Sequence, residues 1–379
     1  MEYKEYELGE LLYYEQPTPY IIESTDYNDA YGTPVLTAGK SFILGYTDEK
    51  EGIYDQLPVI IFDDFTTASQ YVNFKFKVKS SAMKILTPVT ELVLPKYIYY
   101  RMQIINFDHS THKRYWIQQY SKIRVSVPPL SEQERIVSRI EELFSQLDAG
   151  VETLKKTKAQ LAVYRQAVLK EAFEGDYPRK QLKEFSKAIS GFAFKSSRYS
   201  PDGNYVVVKI GNVKERHFDF SRDLTKTLEA DDSILEKYLL RRGDCLITLT
   251  GSRGKRDYGF VAMVGNQNNY LLNQRVAALR FDQSVALPEF FQYYLASPSY
   301  RDMFFGYETG NVGQGNVGIK ALLDPYVILP DIDTQKRIVE DVEDRLSVCD
   351  SIEQTVDIAL QQAEAMRQSI LKDAFEGRL

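Results

Sequence analysis

Hydroxyl and basic side chains follow the apolar run CLIT in the second half of the sequence. The segment LTGSRGKRDYG, residues 249–259, contains five candidate contact residues: Thr250, Ser252, Arg253, Lys255 and Arg256. Glycines in such a turn let the backbone approach a phosphate, while Arg and Lys supply charge or paired hydrogen bonds to guanine. The segment therefore favours contact with nucleic acid, and the alternative is a solvated basic hairpin.

Two further polar sets lie near strand-like segments of the same half. Asn273, Gln274 and Arg275 come before the alternating segment VAALRF, and Asn and Gln side chains suit the edge of adenine. The alternative for this set is hydrogen bonding along a strand. Gln314 and Asn316 lie in the glycine-rich loop ETGNVGQGNVG, where the alternative is a flexible turn.

Candidates in the first half are weaker. Thr66, Thr67 and Ser69 follow the predicted strand VIIFDDF, beside Asp63 and Asp64. A carboxylate can accept a hydrogen bond from N4 of cytosine, so this segment is a candidate for base contact. The same side chains could equally stabilise a turn through local hydrogen bonds.

Basic residues give the remaining candidates. Lys113 and Arg114 lie in the polar loop HSTHKRYWIQ, and an offset of 202 residues places Arg114 opposite Asn316. The alternative for both is a solvated loop. Lys40 and Lys84 are weaker candidates for phosphate contact.

Sequence patterns for catalysis or cofactor binding are not found. The chain has no N-P-P-Y methyltransferase signature, no Walker A motif and no defensible Ser/His or Cys/His pair. The G-x-G-x-x-G match at residues 313–318 is rejected, because a dinucleotide site needs a strand before it and a long helix after it. His109 and His112 have no nearby cysteine. We expect no enzyme activity, no cofactor and no metal.

A helical segment that occurs twice organises the chain. Residues 128–175 and 330–377 align without a gap at the offset of 202, with 18 identities in 48 positions. In both copies apolar residues recur at alternating steps of three and four, which is typical of a coiled-coil seam. Because each helix has one apolar seam, we predict that the two copies pack on each other in antiparallel orientation.

The two halves of the chain follow one plan. Each has a mixed strand segment, an aromatic helix (from Leu94 and from Leu287), a polar loop, a short strand and then the long helix. The opening MEYKEYELGELL matches the segment after the first AFEG, so the two termini should lie close together. We predict an α+β fold with two globular α/β domains, residues 1–127 and 176–327, separated by two long antiparallel coiled-coil helices, residues 128–175 and 328–379, as a pseudo-twofold tandem repeat.

Composition restricts the setting. Two cysteines among 379 residues exclude a disulfide framework and fit a reducing compartment. Without a signal segment or a long apolar run, a cytoplasmic protein with no membrane contact is expected. The net charge of −6 argues weakly against nucleic acid, but residues 176–327 hold 21 Lys and Arg against 17 Asp and Glu. Residues 328–379 hold 6 against 12.

Several motifs together carry a family resemblance. These are PPLSEQERIVSRIEEL with a helix ending LKEAFEG, LPDIDTQKRIVEDVE with a helix ending ILKDAFEG, and the looser KIGNV and GDCLITLTGSRG. The chain resembles the specificity (S) subunit of type I DNA restriction-modification systems. The second helix departs mildly from the family pattern, with DIDTQKRI where PLxEQxRI is usual.

The resemblance implies a function. The globular units would be target-recognition domains, each reading one half of a bipartite site on double-stranded DNA. Two methyltransferase subunits would bind this non-catalytic subunit, and motor-nuclease subunits would join the complex. The alternative from the residues alone is a coiled-coil structural adaptor whose globular ends bind proteins.

Overall fold

The computed structural model describes residues 3–39, 41–108, 114–227, 231–311 and 313–379. The chain divides into two compact units. Unit 1 comprises Met1–Lys155 and Asp357–Leu379, and unit 2 comprises Lys156–Val356. The division falls inside both long helices, so each unit contains part of each helix. The domain boundaries given above stay a prediction.

Unit 1 begins with short strands and ends its globular part at the first long helix. Its elements are β1 (Lys4–Glu7), α1 (Leu8–Leu11), β2 (Leu12–Glu15), β3 (Thr33–Leu36), β4 (Ile43–Thr47), β5 (Val59–Asp63), β6 (Ser69–Val72), β7 (Lys77–Val78), β8 (Met83–Pro88), α2 (Pro95–Met102), β9 (Arg124–Val127) and α3 (Leu130–Ala172). Strands β2-β8-β5-β6 form an antiparallel sheet, β4-β3-β7 form a mixed one, and β1 pairs with β9.

Unit 2 repeats this order with additions. Its elements are β10 (Arg179–Gln181), β11 (Ser186–Ser190), β12 (Tyr205–Val208), β13 (Lys226–Thr227), α4 (Asp232–Tyr238), β14 (Cys245–Thr248), β15 (Thr250–Gly251), β16 (Val261–Met263), β17 (Tyr270–Leu272), β18 (Val276–Phe281), α5 (Pro288–Ala296), α6 (Pro298–Gly306), β19 (Gly315–Asn316), α7 (Ile319–Leu323), β20 (Tyr326–Ile328) and α8 (Ile332–Phe375).

The sheets of the two units correspond strand for strand. In unit 2 the orders are β11-β18-β14-β16 and β13-β12-β17, and β10 pairs with β20. The pair β10–β20 matches β1–β9, with Lys180 opposite Val327 as Tyr6 is opposite Val125. The predicted tandem repeat is confirmed at the level of sheet topology.

Two predicted elements differ from the structure. The segment from Leu287, expected as one aromatic helix, is two helices, α5 and α6. Ser297 and Pro298 cause the break, because a residue before proline avoids the helical conformation, and Ser297 is extended with ψ 152° and accepts a hydrogen bond from Tyr300 N. The alternating segment VNFKFKV, residues 72–78, predicts a strand through Phe74, but the structure has two short strands, β6 and β7, on either side of Phe74.

The long helices run antiparallel within each unit. In unit 1, Ile140 of α3 packs with Leu371 of α8, and Asp148 pairs with Arg367. In unit 2, Arg165 Nη2 donates to Asp350 Oδ1 over 2.7 Å. The offset of 202 relates Asp148 to Asp350 and Arg165 to Arg367, so the two ion pairs are equivalent within the repeat. They fix the same register in both units.

Burial of the predicted seam is uneven. Val168, Val342 and Cys349 are buried, as predicted. Tyr164 and Met366 are about half exposed, at 46% and 53%, and these two are also related by the offset of 202. The prediction of a continuously buried seam is therefore wrong at these positions, which leave apolar side chains on the helix surface.

A buried glutamine attaches each long helix to its globular part. Gln133 is fully buried; its Oε1 accepts from Leu94 N at 2.8 Å, and its Nε2 donates to Leu92 O and Pro128 O. In the second copy Gln335 Oε1 accepts from Leu287 N, and its Nε2 donates to Val285 O and Pro330 O. Backbone groups thus complete the hydrogen bonds of both side-chain amides, and these bonds fix the direction in which each long helix leaves its globular part.

Packing also brings the ends of the chain together within unit 1. Tyr6 and Phe375 belong to one apolar core, and the Phe375 ring lies edge-on to Tyr97 at 5.2 Å. The predicted proximity of the first residues to the end of α8 is confirmed. Within the described ranges, no helix is long and apolar enough to span a membrane.

Candidate nucleic-acid interface

Three of the predicted contact segments of unit 2 meet at one end of the main sheet. Leu249 follows β14; its N donates to Arg275 O at 2.9 Å, and its O accepts from Val317 N at 2.9 Å. Strand β15 pairs with β19, which sets Thr250 opposite Asn316. The segments around residues 250–256, 273–275 and 314–316 therefore form one surface, which we call the unit 2 strand-end surface.

The basic turn is held in shape by contacts with the facing loop. Arg253 Nη1 donates to Gly310 O at 2.7 Å. The backbone N of Gly254 donates to the Glu308 carboxylate, and Glu308 also accepts from the Tyr258 hydroxyl at 2.8 Å. Ser252 N donates to Asp257 Oδ1, and Lys255 is exposed. The turn is ordered, and Lys255 faces solvent.

Arg256 and Arg301 have different roles. Arg256 is an exposed candidate whose Nη1 bonds Asp302 Oδ1 at 2.6 Å and whose guanidinium lies over the Phe305 ring. Arg301 of α6 donates to three backbone carbonyls at the end of the turn: Gly259, Arg256 and Tyr258. Burial lowers the pKa of Arg301. Sequence reasoning missed Arg301, because its three carbonyl partners come together only in the fold.

The amide candidates divide between solvent and backbone. Asn273 is half-buried and its Nδ2 donates to Phe192 O at 3.3 Å, so the strand-type hydrogen bond foreseen as its alternative is present. Gln274 and Arg275 are exposed, and Arg275 has a φ of 71° that turns the chain here. Gln314 and Asn316 are likewise exposed. These four side chains border the basic turn.

Unit 1 has the same junction with a shorter turn. Asp64 N donates to Ala82 O at 3.0 Å, and Asp64 O accepts from Tyr115 N at 2.9 Å. These bonds match those of Leu249, and Tyr115 matches Val317 at the offset of 202. Arg114 is exposed beside this junction, with its guanidinium 5.9 Å from the centre of the Phe65 ring. The proposed correspondence of Arg114 with Asn316 therefore fits the structure.

The turn after β5 uses its own carboxylates. Asp63 Oδ1 accepts from Phe65 N at 2.8 Å and from Thr66 N at 3.1 Å, as in the turn-stabilising alternative. Thr66 is exposed, and Thr67 has a φ of 55°. Ser69 is buried and accepts from Gln103 Nε2 at 2.8 Å, so its hydroxyl supports the fold at this position.

Lys84 is a correction to the predicted set. It is fully buried; its Nζ lies 3.4 Å from Asp64 Oδ2 and donates to Gln16 Oε1 at 3.0 Å. A buried charge needs such partners, and a phosphate cannot reach this one. Lys84 therefore fixes the turn from inside. Lys40 and Lys113 lie outside the described residues.

Ser80 and Ser81 were missed by the sequence reasoning. They occupy the positions in unit 1 that Asn273 and Gln274 occupy in unit 2, because Ala82 O and Arg275 O accept the equivalent bonds. Ser81 is exposed. Aligning the LPKYIYY and LPEFFQYY motifs, whose offset differs from that of the long helices, would have matched these two serines to Asn273 and Gln274.

The described residues contain no group of three His, Cys, Asp or Glu side chains arranged to hold a metal ion. What the two junctions share is exposed polar and basic side chains on an ordered strand-end surface. Such a surface suits contacts to phosphates and base edges.

Comparison with known proteins identifies the family. The model of the type I restriction modification DNA specificity domain matches residues 1–162 and 174–362. The chain belongs to this family. Its two matched segments coincide with the two halves of the repeat, so the chain carries two copies of the DNA specificity domain.

Characterised relatives agree with this family. The chain is 45% identical over 197 residues to the specificity subunit of the type I restriction enzymes EcoR124I and EcoR124II of Escherichia coli, covering 48% of each chain. It is 29% identical over 279 residues to the EcoKI specificity subunit of Escherichia coli K12, covering 69% of this chain and 58% of the relative. The matches span about half the length of these relatives.

Solved structures share the fold. One, described as the structural basis underlying complex assembly and conformational transition of the type I R-M system, aligns over 100% of this chain and 98% of its own, with a TM-score of 0.72 and 17% identity. The HsdS subunit from Thermoanaerobacter tengcongensis aligns over 100% and 97%, with a TM-score of 0.51 and 18% identity. Fold class is thereby confirmed as that of specificity subunits.

Replacing Lys255 by Ala is expected to weaken DNA binding without unfolding unit 2. If Lys255 contacts a phosphate, all DNA sequences lose affinity alike and the slope of log affinity against log salt flattens by about 1. Arg253→Ala should weaken binding more, because it also removes the bond to Gly310 O. DNA titrations at several salt concentrations measure both effects.

Lys183→Ala is the matched control, since this exposed lysine lies three residues before Ser186, which pairs with Phe281 at the opposite end of β18 from Arg275. If Lys255→Ala and Lys183→Ala give the same affinity and salt slope as the unaltered chain, the basic turn is only a solvated hairpin.

Proposed function

We propose that this chain is the non-catalytic DNA-specificity subunit of a type I restriction-modification complex and that each of its specificity domains reads one half of a bipartite target on double-stranded DNA. The observation that carries the proposal is the repeated strand-end junction, at Asp64 and at Leu249, which presents polar and basic side chains in both units. The side chains around the two junctions differ, so the half-sites should differ in sequence.

The contact residues proposed for unit 2 are the exposed ones. Lys255 and Arg256 suit phosphate, and Gln274, Arg275, Gln314 and Asn316 suit base edges. For unit 1 the proposal rests on Thr66, Ser81 and Arg114. The positive balance of residues 176–327 supports phosphate contact, while the acidic second helix suits a protein partner.

Methyltransferase subunits are the proposed partners of the long helices. Large apolar side chains are exposed along them: Val163 at 71%, Val348 at 59% and Met366 at 53%. Exposed apolar groups rimmed by charge mark protein-binding surfaces. Two methyltransferase subunits would bind, one to each copy of the repeat, and motor-nuclease subunits would join through the complex in the cytoplasm.

Reconstitution tests this function. Alone, the purified chain should transfer no methyl groups to DNA. Together with the methyltransferase of its own system and S-adenosylmethionine, it should direct methylation to a bipartite sequence, read out by sequencing of methylated bases. A methyltransferase that gives the same methylation pattern with and without the chain would contradict the proposal and leave the adaptor alternative.

A further inference from the structure

Unit 1 contains an open groove of about 580 Å³ between α2 and the two long helices. Its wall combines three aromatic rings with three carboxylates: Tyr99, Tyr100, Phe144, Glu141, Asp148 and Glu364. Among the described residues, the one cation lining it is Arg367, which pairs with Asp148 and stacks 4.4 Å from the Phe144 ring centre. Lys96 of α2 pairs with Glu141, so three carboxylates face two cations and the groove keeps one carboxylate in excess. We call it the unit 1 groove.

Unit 2 has a groove at the equivalent place in the repeat. It measures about 420 Å³, and Arg165 and Asp350 line it where Arg367 and Asp148 line the first. The offset of 202 also relates Gln166 to Gln368, which line the two grooves. Glu141 and Ser145 of the unit 1 groove correspond to the identical Glu343 and Ser347 of α8.

In unit 2 a guanidinium of the same chain lines the groove beside Asp350. Arg216 lies in the groove with its Nη2 4.0 Å from Asp350 Oδ1 and its side chain only 24% exposed. Its backbone is held there by a φ of 67° and by a 2.7 Å hydrogen bond from its N to Val261 O. This repeat of the groove therefore binds an arginine side chain.

Unit 1 lacks the segment that supplies this arginine. Arg216 belongs to the long connection between β12 and β13, residues 209–225, whereas the equivalent connection between β3 and β4 is only residues 37–42. Among the described residues, no counterpart of Arg216 lines the unit 1 groove. Asp148 and Arg367, the counterparts of Asp350 and Arg165, are present there without that additional arginine. The aromatic rings there also suit a cation, because guanidinium groups stack on aromatic faces.

We propose that the unit 1 groove is a binding site for an arginine side chain of a partner protein, occupied in the way that Arg216 occupies the unit 2 groove. Tyr100 and Asp148 would receive the guanidinium, as Asp350 receives that of Arg216 in unit 2. That the partner is a methyltransferase subunit rests on the proposed function, whereas the arginine site rests on the two grooves alone. Unit 2 should bind no such arginine, since its equivalent carboxylate, Asp350, already pairs with Arg165 and Arg216 of the same chain.

Ser145→Arg tests the site by placing an arginine of the same chain in the groove. Ser145 is exposed on the groove wall, with Glu141 one turn before it and Asp148 one turn after it. A new arginine there would pair with both and block the groove. Ser347→Arg is the matched control, because the offset of 202 relates Ser347 to Ser145 and Ser347 is likewise exposed.

The first measurement uses the full chain and the tripeptide acetyl-Gly-Arg-Gly-amide, with the citrulline tripeptide as its neutral counterpart, followed by saturation-transfer NMR. The arginine peptide should bind saturably in the millimolar range, and the citrulline peptide at least tenfold more weakly. Ser145→Arg should abolish binding and Ser347→Arg should not. Arg216→Ala should create a second site that Ser347→Arg removes. Equal binding of the two peptides, or equal binding to the two Ser→Arg variants, would overturn the proposal.

The second measurement is the affinity of the methyltransferase of the same system. Ser145→Arg should weaken it at least tenfold, and Ser347→Arg should leave it within twofold of the unaltered chain. If the methyltransferase binds all three proteins alike, it does not use the groove, although the proposed function stands. If it binds none of them, the proposed function fails, and the peptide measurement alone decides whether the groove binds arginine. Thermal unfolding of both variants checks that the helices are intact.

Discussion

Replacing Arg301 by Ala should abolish recognition of the half-site read by unit 2 and leave the other half-site unchanged. The guanidinium of Arg301 bonds three carbonyls, those of Gly259, Arg256 and Tyr258, and so holds the end of the basic turn. Hydrogen bonds to charged groups contribute roughly 1.5–3 kcal/mol each. Because the three act together, we expect a loss of about 3 kcal/mol, which corresponds to roughly 100-fold in affinity.

The measurement pairs DNA binding with stability. Targets altered in one half-site at a time should show that the variant discriminates at the unit 1 half-site only. Arg301→Lys keeps the charge but cannot reach three carbonyls with a planar fork, so it should lose most of the affinity as well. Asp302→Asn is the control, since it removes only the exposed partner of Arg256. Arg301→Ala binding that equals Asp302→Asn would mean that the turn does not need Arg301.

Deleting one heptad, residues 155–161, from α3 should change the spacer of the DNA target while both half-site sequences stay the same. The deletion keeps the apolar phase but shortens one helix by about 10 Å. Asp148 and Arg165 are as far apart on α3 as their partners Arg367 and Asp350 are on α8. After the deletion on one side, the two ion pairs cannot both form in the same register. We expect loss of the original target or preference for a spacer a few base pairs shorter.

The matched control deletes the equivalent heptad of α8 as well, residues 357–363. Both ion pairs can then form again, so the double deletion should fold as stably as the unaltered chain and methylate targets with a shortened spacer. Mapping of methylated sites across the genome of cells carrying each deletion reads the result. A change in the half-site bases at constant spacer would show that the helices do not set the spacing.

The architecture could be read from the sequence because it depends on a long repeat. Eighteen identities at a fixed offset predicted the two helices and their antiparallel pairing, and the matching LP–aromatic motifs predicted α2 and α5. These features are periodic, and periodicity follows from how a helix buries one face. The exposed candidates Lys255, Arg275 and Asn316 were found because turns that follow strands expose polar side chains.

The sequence alone could not show which polar side chains form hydrogen bonds and ion pairs inside the protein. Lysine is a common phosphate ligand, yet Lys84 is buried, where its ammonium group pairs with Asp64 and donates to Gln16. Arg301 could not be recognised because its role depends on three carbonyls that approach only in the fold. The role of Arg216 likewise became recognisable only from the residues that surround it in the fold. Long-range partners of this kind leave no local pattern.

The junctions at Asp64 and Leu249 bear on how new targets arise. At each one, a single residue is bonded on both sides by backbone groups, and these bonds do not depend on side-chain identity. Unit 1 closes the following connection with a tight turn, residues 64–68, whereas unit 2 inserts residues 249–260 at the same place. The sheet of each unit can therefore carry loops of different length at this junction. Selection could exchange the reading loops of either unit while the sheet that carries them stays intact.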